Sequence, residues 1–209
     1  MASFDSDDLR ATVRTLKGVS NQLEQGNDRA LPGSHQDPDT DVYGAVYRVV
    51  QQPAAEGIIF DPDTRKYYLA RRIPGQQDFG AGKVHIFGGW LKPYLADVSP
   101  MSYLCDTGRN ELGTDFEYLA GPIFTYAWQR NEHPVGFPLS MGYVIKPTRI
   151  GKLNDDRTGL WYDVGDLPTQ DEMIRGRAGE LHFMFLRAFF KWVKVGGNIP
   201  CIDLNQNPL

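Results

Sequence analysis

Two apolar runs joined by a four-residue turn constrain this chain more than any other feature in it. Gly57-Ile58-Ile59-Phe60 leads into Asp61-Pro62-Asp63-Thr64, and residues 66–72 (KYYLARR) follow. β-Branched and aromatic residues suit a pleated strand, and Asp-Pro-Asp-Thr is turn chemistry, so the segment predicts a β-hairpin. A hairpin needs a sheet around it, and the neighbouring sequence offers one. Residues 42–50 (VYGAVYRVV), 84–87, 123–130, 139–146 and 159–163 also read as strands.

Two helices accompany them. One is expected from Ser99 to Gly113, with a capping serine, Pro100 at the first helical position and a glycine to stop it. The other is expected over 179–195, with the apolar stripe Leu181, Phe185, Ala188, Phe189 and Trp192, ending at Gly196-Gly197. Residues 5–25 read as a short amphipathic helix, and the Gly-, Pro- and Asp-rich 26–41 as a linker. The expected organisation is therefore an N-terminal helix and linker (1–41), a folded domain (42–195) and a C-terminal tail (196–209). Hairpin, strand, helix, strands and terminal helix predict an α/β/α sandwich with a mixed sheet between helices.

The formal net charge of −4 disfavours nucleic-acid or acidic-membrane binding, which draws on surplus Lys and Arg. An anionic small molecule would need a metal or a few placed arginines. No apolar run approaches the roughly 18 residues of a membrane span. The start, MASFDSDDLR, lacks the order of a signal peptide, so a cytoplasmic protein is expected. Cys105 and Cys201 make neither a disulfide framework nor a zinc site, and Cys105 falls on an apolar helix face. A homodimer stays open.

The chemistry concentrates in Gly88-Gly89-Trp90, a loop, and the helix ending Asn110-Glu111-Leu112-Gly113. A strand ending in two glycines exposes a backbone carbonyl, and the next helix can aim a carboxylate at the same point. At 100° per residue, Met101, Leu104, Cys105, Gly108 and Leu112 share the buried face, with Glu111 at its edge. The segment resembles the Nudix box, which implies the Nudix-type sandwich, a Mg²⁺ cofactor (Mn²⁺ as substitute) and a nucleoside diphosphate-linked substrate. The box pattern of Arg-Glu-x-x-Glu-Glu falls on Asp106 to Glu111, and only the last glutamate is kept. The run from Gly89 to Gly113 is longer than the family's usual one.

The GDP-mannose mannosyl hydrolase branch also keeps only that glutamate, and the resemblance to it extends over roughly 42–193. Tyr68 to Arg72 is similar to the branch's Leu-Leu-Gly-Lys-Arg, and Ala127-Trp128-Gln129-Arg130 to its Val-Trp-Gln-His. The resemblance implies Glu111 and the Gly88 carbonyl as metal ligands and Arg72 as the cation behind the departing diphosphate. The branch's Gln-His pair aligns on Asp155-Asp156, counted back from Trp161. That implies Asp155 as a further ligand and Asp156 as general base. Arg71, His85, Trp90 and His133 are candidate substrate contacts, Arg71 being able to exchange roles with Arg72 under a one-residue slip. Trp90 stands where the branch has an arginine, which removes a phosphate contact.

Three functions follow. The first is Mg²⁺-dependent hydrolysis of a nucleotide sugar with attack at the sugar carbon. The second is a pyrophosphohydrolase. The third is a nucleotide-binding or regulatory domain without turnover, suggested by Thr107 and Asn110 where the box has carboxylates.

Overall fold

The computed structural model describes residues 51, 53–72, 80–91, 99–129, 132, 138–155 and 157–208. The helix, linker and strand expected over 5–50 lie outside the described residues.

The hairpin forms as β1 (Pro53–Asp61) and β2 (Lys66–Arg71). Its turn is closed by the Asp61 carboxylate, which accepts from the Asp63 amide at 3.1 Å and the Thr64 hydroxyl at 2.6 Å. Ile59 faces Tyr68, and further from the turn the two strands part company. Into that fork run β3 (Val84–His85) and β4 (Phe87–Trp90). β3 lies antiparallel to β2, with Ala70 opposite His85; β4 lies antiparallel to β1, with Gly57 opposite Phe87. Because β1 and β2 themselves run in opposite directions, the chain enters along β2, reverses about Ile86 and leaves along β1. One V is nested in another.

The outer strands complete an eight-stranded mixed sheet. β5 (Phe116–Ala127) pairs antiparallel with β6 (Leu139–Pro147), which lies parallel to β1. β7 (Gly159–Asp163) pairs with β2. β8 (Ile202–Asp203) lies parallel to β5, and Leu204 beside it is buried. The segment expected as a tail thus adds an edge strand, because Ile202 and Leu204 have core to cover. Gly88-Gly89, expected as a turn after a strand, lies instead inside β4.

Helix α1 (Pro100–Thr107) starts as expected, with the Ser102 amide donating to the Ser99 hydroxyl at 3.0 Å. Its last stretch, Gly108–Leu112, widens into a π-helical turn before Gly113 stops it at φ 66°. A Cβ on Gly108 would stand 2.3 Å from the Phe116 ring, so only glycine lets the helix lie this close. Helix α2 (Gly176–Lys194) begins three residues earlier than expected and ends one earlier.

The two helices cover opposite faces. Leu104 and Leu112 pack with Ala55, Ile59, Tyr68, Phe87 and Ile145. Leu181, Phe185, Ala188 and Phe189 pack with Ile58, Phe60, Leu69, Phe124 and Val144. Phe124 and Phe185 stack at 4.5 Å. Alternation along β1 explains both cores: odd-numbered Ala55 and Ile59 face α1, even-numbered Ile58 and Phe60 face α2. The architecture is the expected α/β/α sandwich. No helix among the described residues is long and apolar enough to cross a membrane.

Candidate active site

The inner edge of β4 opens onto the fork. The Leu91 amide donates to the Pro53 carbonyl at 2.8 Å, which sets the phase of the antiparallel ladder. Ala55/Gly89 and Gly57/Phe87 are then hydrogen-bonded pairs, and Glu56/Gly88 is a non-bonded one. The N–H and C=O of Gly88 therefore point away from β1, toward the fork. A side chain at Gly88, where φ is 144°, would meet the Ala55 carbonyl oxygen at 2.1 Å. Gly89 faces α1, where a Cβ would meet only the Tyr103 hydroxyl.

Glu111 stands on the π-helical turn at the end of α1. Its carboxyl is partly desolvated, which raises its pKa, and Arg72 counters that rise. The influence is mutual, since partial burial lowers the Arg72 pKa and Glu111 raises it. Arg72 also presses on His85, a half-buried ring whose pKa falls to about 4, chiefly through desolvation. His85 Nδ1 lies 2.7 Å from the Ile86 carbonyl oxygen, which can only accept. Nδ1 thus carries the hydrogen, and Nε2 is the bare acceptor of a neutral ring. Arg72 thus links Glu111 and His85 electrostatically.

The other expected residues sit elsewhere. Arg71 donates to the Gly82 carbonyl at 2.6 Å and stands opposite Val84, so β2 register separates it from Arg72. Trp90, one residue past Gly89, lies by alternation on the α2 face. Asp155 gives both carboxylate oxygens to Arg157, at 3.2 and 3.3 Å. Asp156 and His133 lie outside the described residues. Cys105 is partly buried, with its thiol 3.5 Å from the Phe116 carbonyl.

The metal ligands expected from the sequence are the Glu111 carboxylate, on the π-helical turn, and the Gly88 carbonyl, which points away from β1. Among the described residues no group of three or more His, Cys, Asp and Glu side chains is gathered for an ion. One carboxylate and one carbonyl fit Mg²⁺ only as an ion shared with substrate phosphate oxygens, which is a common way for Mg²⁺ to be held.

A further acidic group escaped the sequence reading. Glu56 is 8% exposed at the centre of the sheet, facing α2. The Ser140 hydroxyl donates to its Oε1 at 2.8 Å, and Trp128 Nε1 donates to Ser140 at 2.9 Å. Burial pushes the Glu56 carboxyl up to about 7, against the lowering effect of Ser140. Its signal was a lone charge within the apolar run AAEGIIF. On the same face, the buried His182 ring accepts the Ile86 amide at 3.1 Å.

No protein-family model matches the chain, and no curated protein matches it either. Solved structures do. A NUDIX hydrolase from Nitrosomonas europaea superposes with TM-score 0.50 at 16% identity, over 68% of this chain and 90% of that one. An ADP-ribose pyrophosphatase from Streptococcus suis gives 0.47 at 14% identity, over 74% and 99%. A UDP-X diphosphatase gives 0.49 at 14% identity, over 97% and 89%. At such identities the likeness is one of fold: the chain has the Nudix fold.

Proposed function

We propose that this protein hydrolyses a nucleoside diphosphate-linked compound, a nucleotide sugar by preference, at the fork between β3 and β4. The observation that carries the reading is the mutual influence of a partly buried Arg72, just past the end of β2, and a partly buried Glu111, at the end of α1. A guanidinium offers paired N–H groups to phosphate oxygens, and partial burial strengthens that attraction. Arg72 would hold the diphosphate and take up the charge that builds on it as it leaves. Neutral His85 adds an acceptor for a substrate hydroxyl through Nε2. Glu111 and the Gly88 carbonyl would hold Mg²⁺, or Mn²⁺ in its place, and a bound ion would supply further neutralisation of the diphosphate.

We assign attack to the sugar carbon, by a water that Asp156 deprotonates. One carboxylate is enough where a metal only assists the leaving group, whereas attack at phosphorus draws more metal charge around the nucleophile. Turnover of a nucleotide-sugar panel in ¹⁸O water with Mg²⁺ tests this directly. Label in the released sugar is expected; label in phosphate makes the enzyme a pyrophosphohydrolase.

The second reading is a domain that binds nucleotide without turning it over. Thr107 and Asn110, in place of two box carboxylates, favour it. Calorimetric titration separates the two, because tight binding indifferent to Mg²⁺, with no product, belongs to a binding domain.

A further inference from the structure

Beside the glycine that stops the helix, a cleft of about 240 Å³ opens between the end of α1 and the segment that follows β6. Three cations line it: Arg109 from the π-helical turn, Arg149 just past β6, and Lys152 from a short 3₁₀-helical turn, Gly151–Asn154. The backbone brings these segments together. The Thr148 amide donates to the Asp115 carbonyl at 2.9 Å, and the Arg149 amide to the Thr114 hydroxyl at 3.2 Å, just beyond the last β5–β6 pair. Lys152 then lies across Gly113, where a Cβ would stand 2.7 Å from its Nζ.

One carboxylate shares the lining with these cations. Asp115 Oδ1 accepts from Arg109 Nε at 2.5 Å, while Asp106, outside the lining, accepts from Arg109 Nη1 at 2.9 Å. The Arg149 and Lys152 side chains have no hydrogen bond or ion pair among the described residues. Like charges around one opening repel each other, and a bound anion relieves that repulsion. The cleft also draws on other charges than the fork does. Arg109 pairs with Asp106 and Asp115, whereas Glu111 and Arg72 influence each other.

We propose that this cleft is a second anion site, distinct from the fork, which takes a phosphate dianion, free or at the end of a small phosphomonoester. Three cations against one carboxylate leave two positive charges unmatched at the lining. A phosphate group brings about −1.5 to −2 at pH 7, with at least three acceptor oxygens to share among them. A carboxylate, with two oxygens and one charge, engages fewer of the three. The guanidiniums take oxygens in pairs, and the ammonium acts as a point charge. The bound anion ties the turn that carries Glu111 to the segment that leads to Asp155. None of this depends on what the fork turns over.

The test is calorimetric titration of the full chain at pH 7.5 with inorganic phosphate and with glycerol 1-phosphate, at an ionic strength held constant with chloride. The wild type is expected to bind at least one of them, and which one binds separates the free ion from the ester. Arg149→Gln and Lys152→Gln change exposed side chains, so their melting curves without phosphate should match the wild type. Each should weaken binding roughly fivefold or more, and the double variant should abolish it. Arg72→Gln should bind as the wild type does. Undiminished binding by the double variant overturns the proposal. So does binding lost in Arg72→Gln, which would put the anion at the fork, and so does a wild type that binds neither ligand.

Discussion

Arg72 and Glu111 hold each other in their charged forms across a partly dry gap, so removing either changes the chemistry of the other. Arg72→Gln withdraws the countercharge that lowers the Glu111 pKa. The acid limb of kcat/KM against pH should therefore move upward in the variant. Its plateau should fall by about 10²-fold, the usual order for one lost electrostatic stabiliser. A pH–rate profile of both proteins checks this, and superimposable limbs would mean that the two groups are not coupled. The positions of Arg72 and His85 at strand ends and of Glu111 near a helix end were legible from sequence, because strand pattern and capping chemistry are local. Glu56 was not. A carboxylate within a run of alternating residues reads as solvent-facing, and its burial comes from β4 and β6, which are distant in the chain.

Among the elements, the hairpin and β7 were the most legible, because turn chemistry and period-two alternation are local. The nested V was not. Nothing near Val84 states that β3 will pair with β2 while β4, two residues on, pairs with β1. The π-helical turn was equally hidden, since it follows from fitting Gly108 against Phe116. The same geometry separates two glycines that look alike in sequence. Gly88→Ala must place a Cβ against a backbone oxygen at φ 144°, which costs about 2 kcal/mol or more. A Tm lowered by roughly 4–8 °C is expected. Gly89→Ala meets only the movable end of Tyr103 and should melt within about 2 °C of the wild type. Equal melting of the two variants would contradict the ladder phase that aims the Gly88 carbonyl at the fork.

At the scale of the whole molecule, buried Glu56 and half-buried His85 set opposing pH dependences. Glu56 has its pKa raised from 4.5 to about 7, so it binds a proton more tightly when folded. Its contribution is fully present below pH 4.5 and is lost as pH rises through about 7. His85 has its pKa lowered from 6.5 to about 4, so its contribution is present above pH 6.5 and is lost as pH falls through about 4. The windows overlap between pH 4.5 and 6.5, where the two slopes oppose each other; each corresponds to roughly 3 kcal/mol at most. Wild-type stability should be nearly flat there. Glu56→Gln should unmask a loss on acidification, and His85→Gln a gain. Urea melts at pH 4.5, 5.5 and 6.5 decide it, and parallel curves for all three proteins would sink the assignment.

The central claim is that the Glu111 carboxylate at the fork supports hydrolysis, and kcat of Glu111→Gln with nucleotide sugar and Mg²⁺ tests it most directly. The substitution is nearly isosteric, so an unchanged melting curve should accompany a fall in kcat of about 10²–10³. Asp106→Asn is the control on the same helix. Asp106 is exposed and pairs with Arg109, so its variant should turn over like the wild type. A folded Glu111→Gln protein with wild-type kcat would contradict the account.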